Sequence, residues 1–168
     1  ATDGGLACAR RTLVREAAAI GASVAVGGMV FGAAARDAGL STTGAIAMSL
    51  LPFSGAAQFA ALGHLRGGGS WTAIVLVTAL LNARHLLYGV SLAPALASAS
   101  VRERAAMAHV LTDEAFALGT RHFARLGRTD RAGYWIAALV AVFVPWNVGT
   151  AIGAFAGGAL PDLSALGL

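Results

Sequence analysis

The stretch Trp71-Thr-Ala-Ile-Val-Leu-Val-Thr-Ala-Leu-Leu-Asn-Ala-Arg-His-Leu-Leu-Tyr-Gly-Val-Ser-Leu92 decides how this chain is read. At a rise of ~1.5 Å per residue it is long enough to cross the ~30 Å hydrocarbon core of a bilayer. Yet past its midpoint it carries Asn82, Arg84 and His85. A cation at that depth costs at least ~2.5 kcal/mol on insertion scales, so it persists where it faces a bundle interior, a cavity or a counter-ion. The stretch therefore implies a polytopic membrane protein with a polar pathway, and transport is the function class it favours. On a helical wheel Thr78, Asn82, His85 and Gly89 share one stripe, with Arg84, Tyr88 and Ser91 beside it. Leu76, Leu80, Leu86, Leu87 and Val90 fall on the opposite half, suited to lipid or to a partner helix. The polar half is expected to line a substrate path.

Composition agrees. The 168 residues are 57% hydrophobic and only 12% charged, about half the ~25% charge of an ordinary soluble domain. Mean hydropathy is +0.72. The 22 glycines suit the close helix packing used in lipid. Net charge is +4, but the arginines are scattered between apolar runs without interleaved aromatics, which argues against nucleic acid as a partner. Cys8 is the only cysteine, so no internal disulfide can form. The chain does not start with Met, as expected of a processed or trimmed chain. The first apolar run, Ala17 to Ala35, is too long for a signal-peptide core. No metal-ligand spacing and no phosphate-binding glycine loop occurs, so neither metal nor cofactor is expected.

Five hydrophobic elements are predicted, giving an all-α transmembrane helix bundle in a single integral membrane domain over 1–168. They run from about Leu13 to Ala35, Leu40 to Gly63, Trp71 to Leu92, Ala105 to Thr120 and Tyr134 to Leu160. The fourth, at ~24 Å, is short for a span and reads as a tilted span, a half-helix or an interfacial helix. With five crossings, eight arginines (10, 11, 15, 66, 121, 125, 128 and 131) collect on one side and three (36, 102 and 104) on the other. The positive-inside rule then puts the N-terminus in the cytoplasm, a parity that breaks if element two or four is re-entrant.

Elements two and five are interrupted by Pro52 and Pro145. Leu51-Pro-Phe-Ser-Gly and Val144-Pro-Trp-Asn-Val each set a proline, an aromatic and a small polar residue in mid-element. Proline removes a backbone donor and frees carbonyls. Paired broken helices in corresponding halves point to a midplane binding site and hint at an inverted repeat. Ordinary proline kinks explain the pattern equally well.

Counter-ions for Arg84 are few. Asp113 and Glu114 alone lie inside an apolar element, and His109, Thr112, Asp113 and Phe116 follow helical spacing. Asp113 is the expected partner of Arg84 or a proton-carrying site, because burial raises a carboxyl pKa and an adjacent arginine lowers it. After Pro52, Ser54 and Gly55 would open a half-helix whose amides suit a carboxylate, with Gln58 as an added donor and acceptor. Gly28 and Gly32, and Gly149, Gly153 and Gly157, form GxxxG spacings for helix contact.

Phe31-Gly, Pro52-Phe-Ser-Gly-Ala-Ala-Gln-Phe59, Asn82-Ala-Arg-His-Leu-Leu-Tyr-Gly89 and Thr112-Asp-Glu-Ala-Phe116 occur in this order, and together they resemble the AzlC-type large subunit of branched-chain amino-acid exporters. The likeness runs from about Gly21 to Gly158. It implies a multi-pass protein of the bacterial plasma (inner) membrane that exports valine, leucine, isoleucine and possibly methionine. It also implies a small hydrophobic AzlD-type partner subunit and coupling to the proton gradient. Family members usually continue past the position of Leu168 with more hydrophobic sequence, a departure of this chain.

A zwitterionic amino acid needs a donor for its carboxylate, an acceptor for its ammonium and an apolar pocket. The candidate substrate-binding residues are Ser54, Gly55, Gln58, Phe59, Asn82, Arg84, His85, Tyr88, Phe116, Trp146 and Asn147, with Asp113 and Glu114 as proton-coupling groups. Two rival readings remain. One is an intramembrane serine hydrolase pairing Ser54 with His85 or His109. The other is a channel or scaffold subunit without a transport site of its own.

Overall fold

The computed structural model describes residues 3–159, and its described elements are helical. Leu160 and the segment Pro161 to Leu168 lie outside the described residues. The elements are α1 (Asp3–Asp37), α2 (Thr42–Leu50), α3 (Gly55–Arg66), α4 (Trp71–Asn82), α5 (Arg84–Leu92), α6 (Val101–His109), α7 (Asp113–Leu126), α8 (Arg131–Ala138) and α9 (Val144–Ala159). Among the described residues, three stretches are long and apolar enough to cross a membrane: Gly4–Asp37, Trp71–Leu92 and Arg131–Gly158. The helical membrane bundle expected from the sequence is what the fold shows. The described residues divide into two compact units, residues 3–24 with 82–145 and residues 25–81 with 146–159.

In the first unit the expected fourth element is not one helix. α6 ends at His109, and α7 begins only at Asp113. The cause is capping chemistry. Thr112 is extended (φ −134°, ψ 173°), and its hydroxyl accepts from the Ala115 N–H at 3.3 Å, so it starts a new helix. Ser100 does the same for α6, accepting from the Glu103 N–H at 3.2 Å. Gly127 ends α7 in the left-handed region (φ 63°). His109 and Thr112 therefore do not share a helical face with Asp113 and Phe116, contrary to the spacing argument.

Arg131, the first residue of α8, bonds Glu103 in α6 at 2.9 Å. The start of α6 thus lies at the same end as the residues that follow α7. With lengths of ~14 and ~21 Å, neither helix can cross alone. α6 and α7 form a helical hairpin whose turn is Val110–Thr112. The hairpin packs through Leu111, Ala115 and Met107 against Leu92, Leu96, Tyr134 and Ala138. The Tyr134 hydroxyl donates to the Met107 carbonyl at 2.9 Å, fixing α8 to α6.

The second unit contains a matching device. Ser41 caps α2, its hydroxyl accepting from the Gly44 N–H at 3.0 Å. The helix stops before Pro52, and α3 restarts at Gly55. Arg66, the last residue of α3, pairs with Asp37, the last of α1. Both ends of α2–α3 therefore return to one end, and the Leu40–Gly63 element is a helical hairpin with Pro52 in its turn, not one continuous helix.

The proline of the last element acts differently. Pro145 does not end its helix. The backbone widens into a π-helical stretch, Leu139–Phe143, with the Val144 N–H bonded to the Leu139 carbonyl, and continues as α9. The wider turn accommodates a ring that would clash in a regular helix. Gly21 of α1 sits against this stretch, where an added Cβ would lie 2.6 Å from the Val140 carbonyl oxygen.

The glycine spacings are helix contacts. In the second unit, a Cβ at Gly28, Gly32, Gly149 or Gly153 would meet backbone atoms of the facing helix at 2.4, 2.2, 2.1 and 2.0 Å. α1 and α9 are packed backbone to backbone there.

Candidate functional site

The expected site residues fall into two clusters, one in each unit. In the first unit, the α6–α7 turn carries Asp113 to Arg84, with Nη1 2.8 Å from Oδ2 and both side chains half-exposed. Arg84 opens α5, separated from α4 by Ala83 alone. The Tyr88 ring stacks on Phe116 at 4.5 Å and 15°, and His85 lies edge-on to Tyr88 at 5.8 Å. The Tyr88 hydroxyl lies near the Asp113 carboxylate. Glu114 follows on the first turn of α7, half-buried.

Two acceptors in this cluster are buried and receive no hydrogen bond: Asn82 Oδ1 and Asp113 Oδ1. A buried acceptor left bare costs ~1–3 kcal/mol. A ligand that brings N–H groups or a proton would recover that energy. The outward half of Trp71–Leu92 is as apolar as its sequence demands. Leu76, Leu80, Leu86, Leu87 and Val90 are exposed, whereas Thr78, Asn82, His85 and Tyr88 are partly covered.

In the second unit, Trp146 stacks on Phe31 at 5.9 Å, and Phe59 meets both rings edge-on. Gly55 lies directly beneath the indole, where a Cβ would come within 2.8 Å of Cη2. Ser54 is the N-cap of α3, buried and extended, and its hydroxyl makes no capping bond. Gln58 is buried, and its Nε2 donates to the Met48 carbonyl at 2.7 Å, while its Oε1 and the Trp146 Nε1 are buried without partners. Asn147 follows Trp146 on α9, half-buried. This arrangement offers helix-start amides, an indole donor and an amide acceptor beside an aromatic wall. Ser54 shares its unit with neither His85 nor His109.

One further cluster in the first unit follows no sequence period and was not among the expected sites. Arg10 donates to Asp130 through Nε at 2.8 Å and Nη2 at 2.6 Å, and His122 Nε2 donates to the same carboxylate at 2.9 Å. The clamp ties α1, α7 and the start of α8 together. Gly133 makes room for it, since a Cβ there would meet His122 at 2.5 Å. The Arg10 guanidinium holds the Asp130 carboxyl well below the usual carboxylate range, against burial and with help from His122. The one local signal was an Asp immediately before a helix.

The model of the family described as AzlC protein matches residues 19–160. The inner membrane protein YgaZ of Escherichia coli (strain K12) is 34% identical over 132 residues, 77% of this chain and 54% of that protein. An uncharacterized membrane protein of Helicobacter pylori (strain J99) is 37% identical over 91 residues, 54% of this chain and 40% of that protein. One from Archaeoglobus fulgidus is 31% identical over 130 residues, 77% of this chain and 54% of that protein. The chain spans about half the length of the curated relatives it matches. No solved structure matches it.

Proposed function

The chain belongs to the AzlC family of membrane proteins, and from that premise we propose that it is a subunit of an exporter of branched-chain amino acids, coupled to protons and completed by a small hydrophobic AzlD-type partner. The observation that carries the reading is the Arg84–Asp113 pair, in which Arg84 lies within an apolar span and the α6–α7 turn brings Asp113 to it, with bare acceptors on Asp113 and Asn82. A charged residue within an apolar span marks a substrate or ion pathway as the default reading. Arg84 would receive a carboxylate, and Asn82 and Asp113 an ammonium, with Tyr88 and Phe116 as an apolar wall. The α3 start, with Ser54, Gly55 and Gln58, offers a second place for a carboxylate beside Phe59, Trp146 and Asn147. Proton coupling follows from competition at Asp113: an arriving ammonium or proton displaces Arg84 from the carboxylate, while Glu114 holds a neighbouring charge.

With three crossings and two re-entrant hairpins, arginines 10, 11, 15, 102, 104, 121, 125, 128 and 131, nine in all, gather at the N-terminal side, against Arg36 and Arg66 on the other. We assign the N-terminal side to the cytoplasm of a bacterial inner membrane.

The test is leucine flux in proteoliposomes, with and without the small subunit, under an imposed pH gradient. Saturable flux that needs the partner and follows the gradient is the expected result. Flux that neither saturates nor responds to the gradient would make this a channel subunit and overturn the proposal.

A further inference from the structure

We propose that an open cavity at the arginine-rich end of the first unit binds the phosphate head group of an anionic phospholipid. The cavity measures about 860 Å³ and is lined by Arg10, Arg128, Arg131, Glu103 and Asp130, with hydroxyls from Ser98 and Thr129. That size is within the ~300–1,000 Å³ range of ligand sites. Asp130 takes two N–H groups of Arg10, and Glu103 takes one from Arg131. A guanidinium carries five N–H donors, so both arginines keep donors to spend. Arg128 stands exposed at the rim and forms no ion pair among the described residues. Three arginines against two carboxylates leave the cavity positive.

Position identifies the class of ligand. Leu6 and Arg10 lie near the start of the span Gly4–Asp37. Pro94 and Ser98 follow closely on the span that ends at Leu92, and Arg131 begins the span to Gly158. A cavity where three spans end sits at head-group depth. Leu6, Pro94 and Trp135 form its apolar wall. An indole at this level is the usual interfacial anchor. A free phosphate would use the guanidiniums and leave that wall idle, whereas a phospholipid uses both. Arg11 and Arg15 follow Arg10 on α1, and Arg102 and Arg104 flank Glu103 on α6, so further positive charge at this end draws anionic lipid.

The experiment is a native mass-spectrometry titration of the intact protein with dioleoyl-phosphatidylglycerol, dioleoyl-phosphatidylcholine and inorganic phosphate. Phosphatidylglycerol is expected to be retained at least tenfold more tightly than phosphatidylcholine and to resist displacement by phosphate. Arg128→Gln should weaken retention several-fold at an unchanged melting temperature, and Arg128→Lys should recover part of it. Arg11→Gln makes the same charge change outside the cavity and should leave retention as it was. Equal retention of the two lipids would overturn the proposal, as would equal losses in Arg11→Gln and Arg128→Gln. Displacement by phosphate would make this a soluble-anion site and overturn it too.

Discussion

Arg84 and Asp113 are each half-exposed, and the span around Arg84 exposes Leu80, Leu86, Leu87 and Val90, a surface suited to lipid rather than water. Removing one partner strands the other charge, so Arg84→Gln and Asp113→Asn should each lower stability by more than ~1 kcal/mol, the ceiling for pairs in water. The double variant should recover most of that loss in a detergent melting experiment while remaining inactive in flux. Additive losses would mean that the pair is not coupled. Asp130 makes a different prediction. Its carboxyl is depressed by Arg10, so its contribution is fully present above the unfolded value of ~3.9 and is lost as pH falls through the lower folded value. The melting-temperature gap between the parent and Asp130→Asn should be constant from pH 7 to pH 5 and narrow only in stronger acid.

Among the elements, the hairpins depend on caps and the long helices on glycine. Thr112→Ala should cost about 1 kcal/mol by removing the α7 cap, and it should also loosen the hold on Asp113. Gly32→Ala or Gly153→Ala forces a methyl into facing backbone, and such overpacking costs ~1–3 kcal/mol. Gly89→Ala, with nothing within 4 Å of the added carbon, should be neutral. Thermal unfolding of the set checks all four. The polar stripe of Trp71–Leu92 and the GxxxG contacts were legible because helical periodicity alone places them. The hairpins were not, because hydropathy cannot tell a segment that returns from one that crosses. Thr112-Asp113-Glu114 did carry the signature of a helix start, which the apolar residues on both sides concealed. Pro145 misled for another reason: a π-helical turn absorbs a proline that would otherwise break the helix.

At the scale of the chain, three stretches among the described residues are long and apolar enough to cross a membrane, and two helical hairpins stand where the other two of the five expected elements lay. Single cysteines at Ser98 and Thr129, in a Cys8→Ser background, should react with an impermeant reagent from the same face of the membrane. Reaction from opposite faces would restore a crossing fourth element. The general class was readable from charge content and run length. The Arg10–His122–Asp130 clamp was beyond reach, because its members are up to 120 positions apart and follow no period.

The most direct measurement is leucine counterflow by Arg84→Gln beside the parent, in vesicles holding equal amounts of inserted protein and the small subunit. The account predicts normal insertion and abolished exchange for the variant. Exchange at the parental rate would contradict it, because Arg84 would then be a structural cation and the pathway would lie elsewhere.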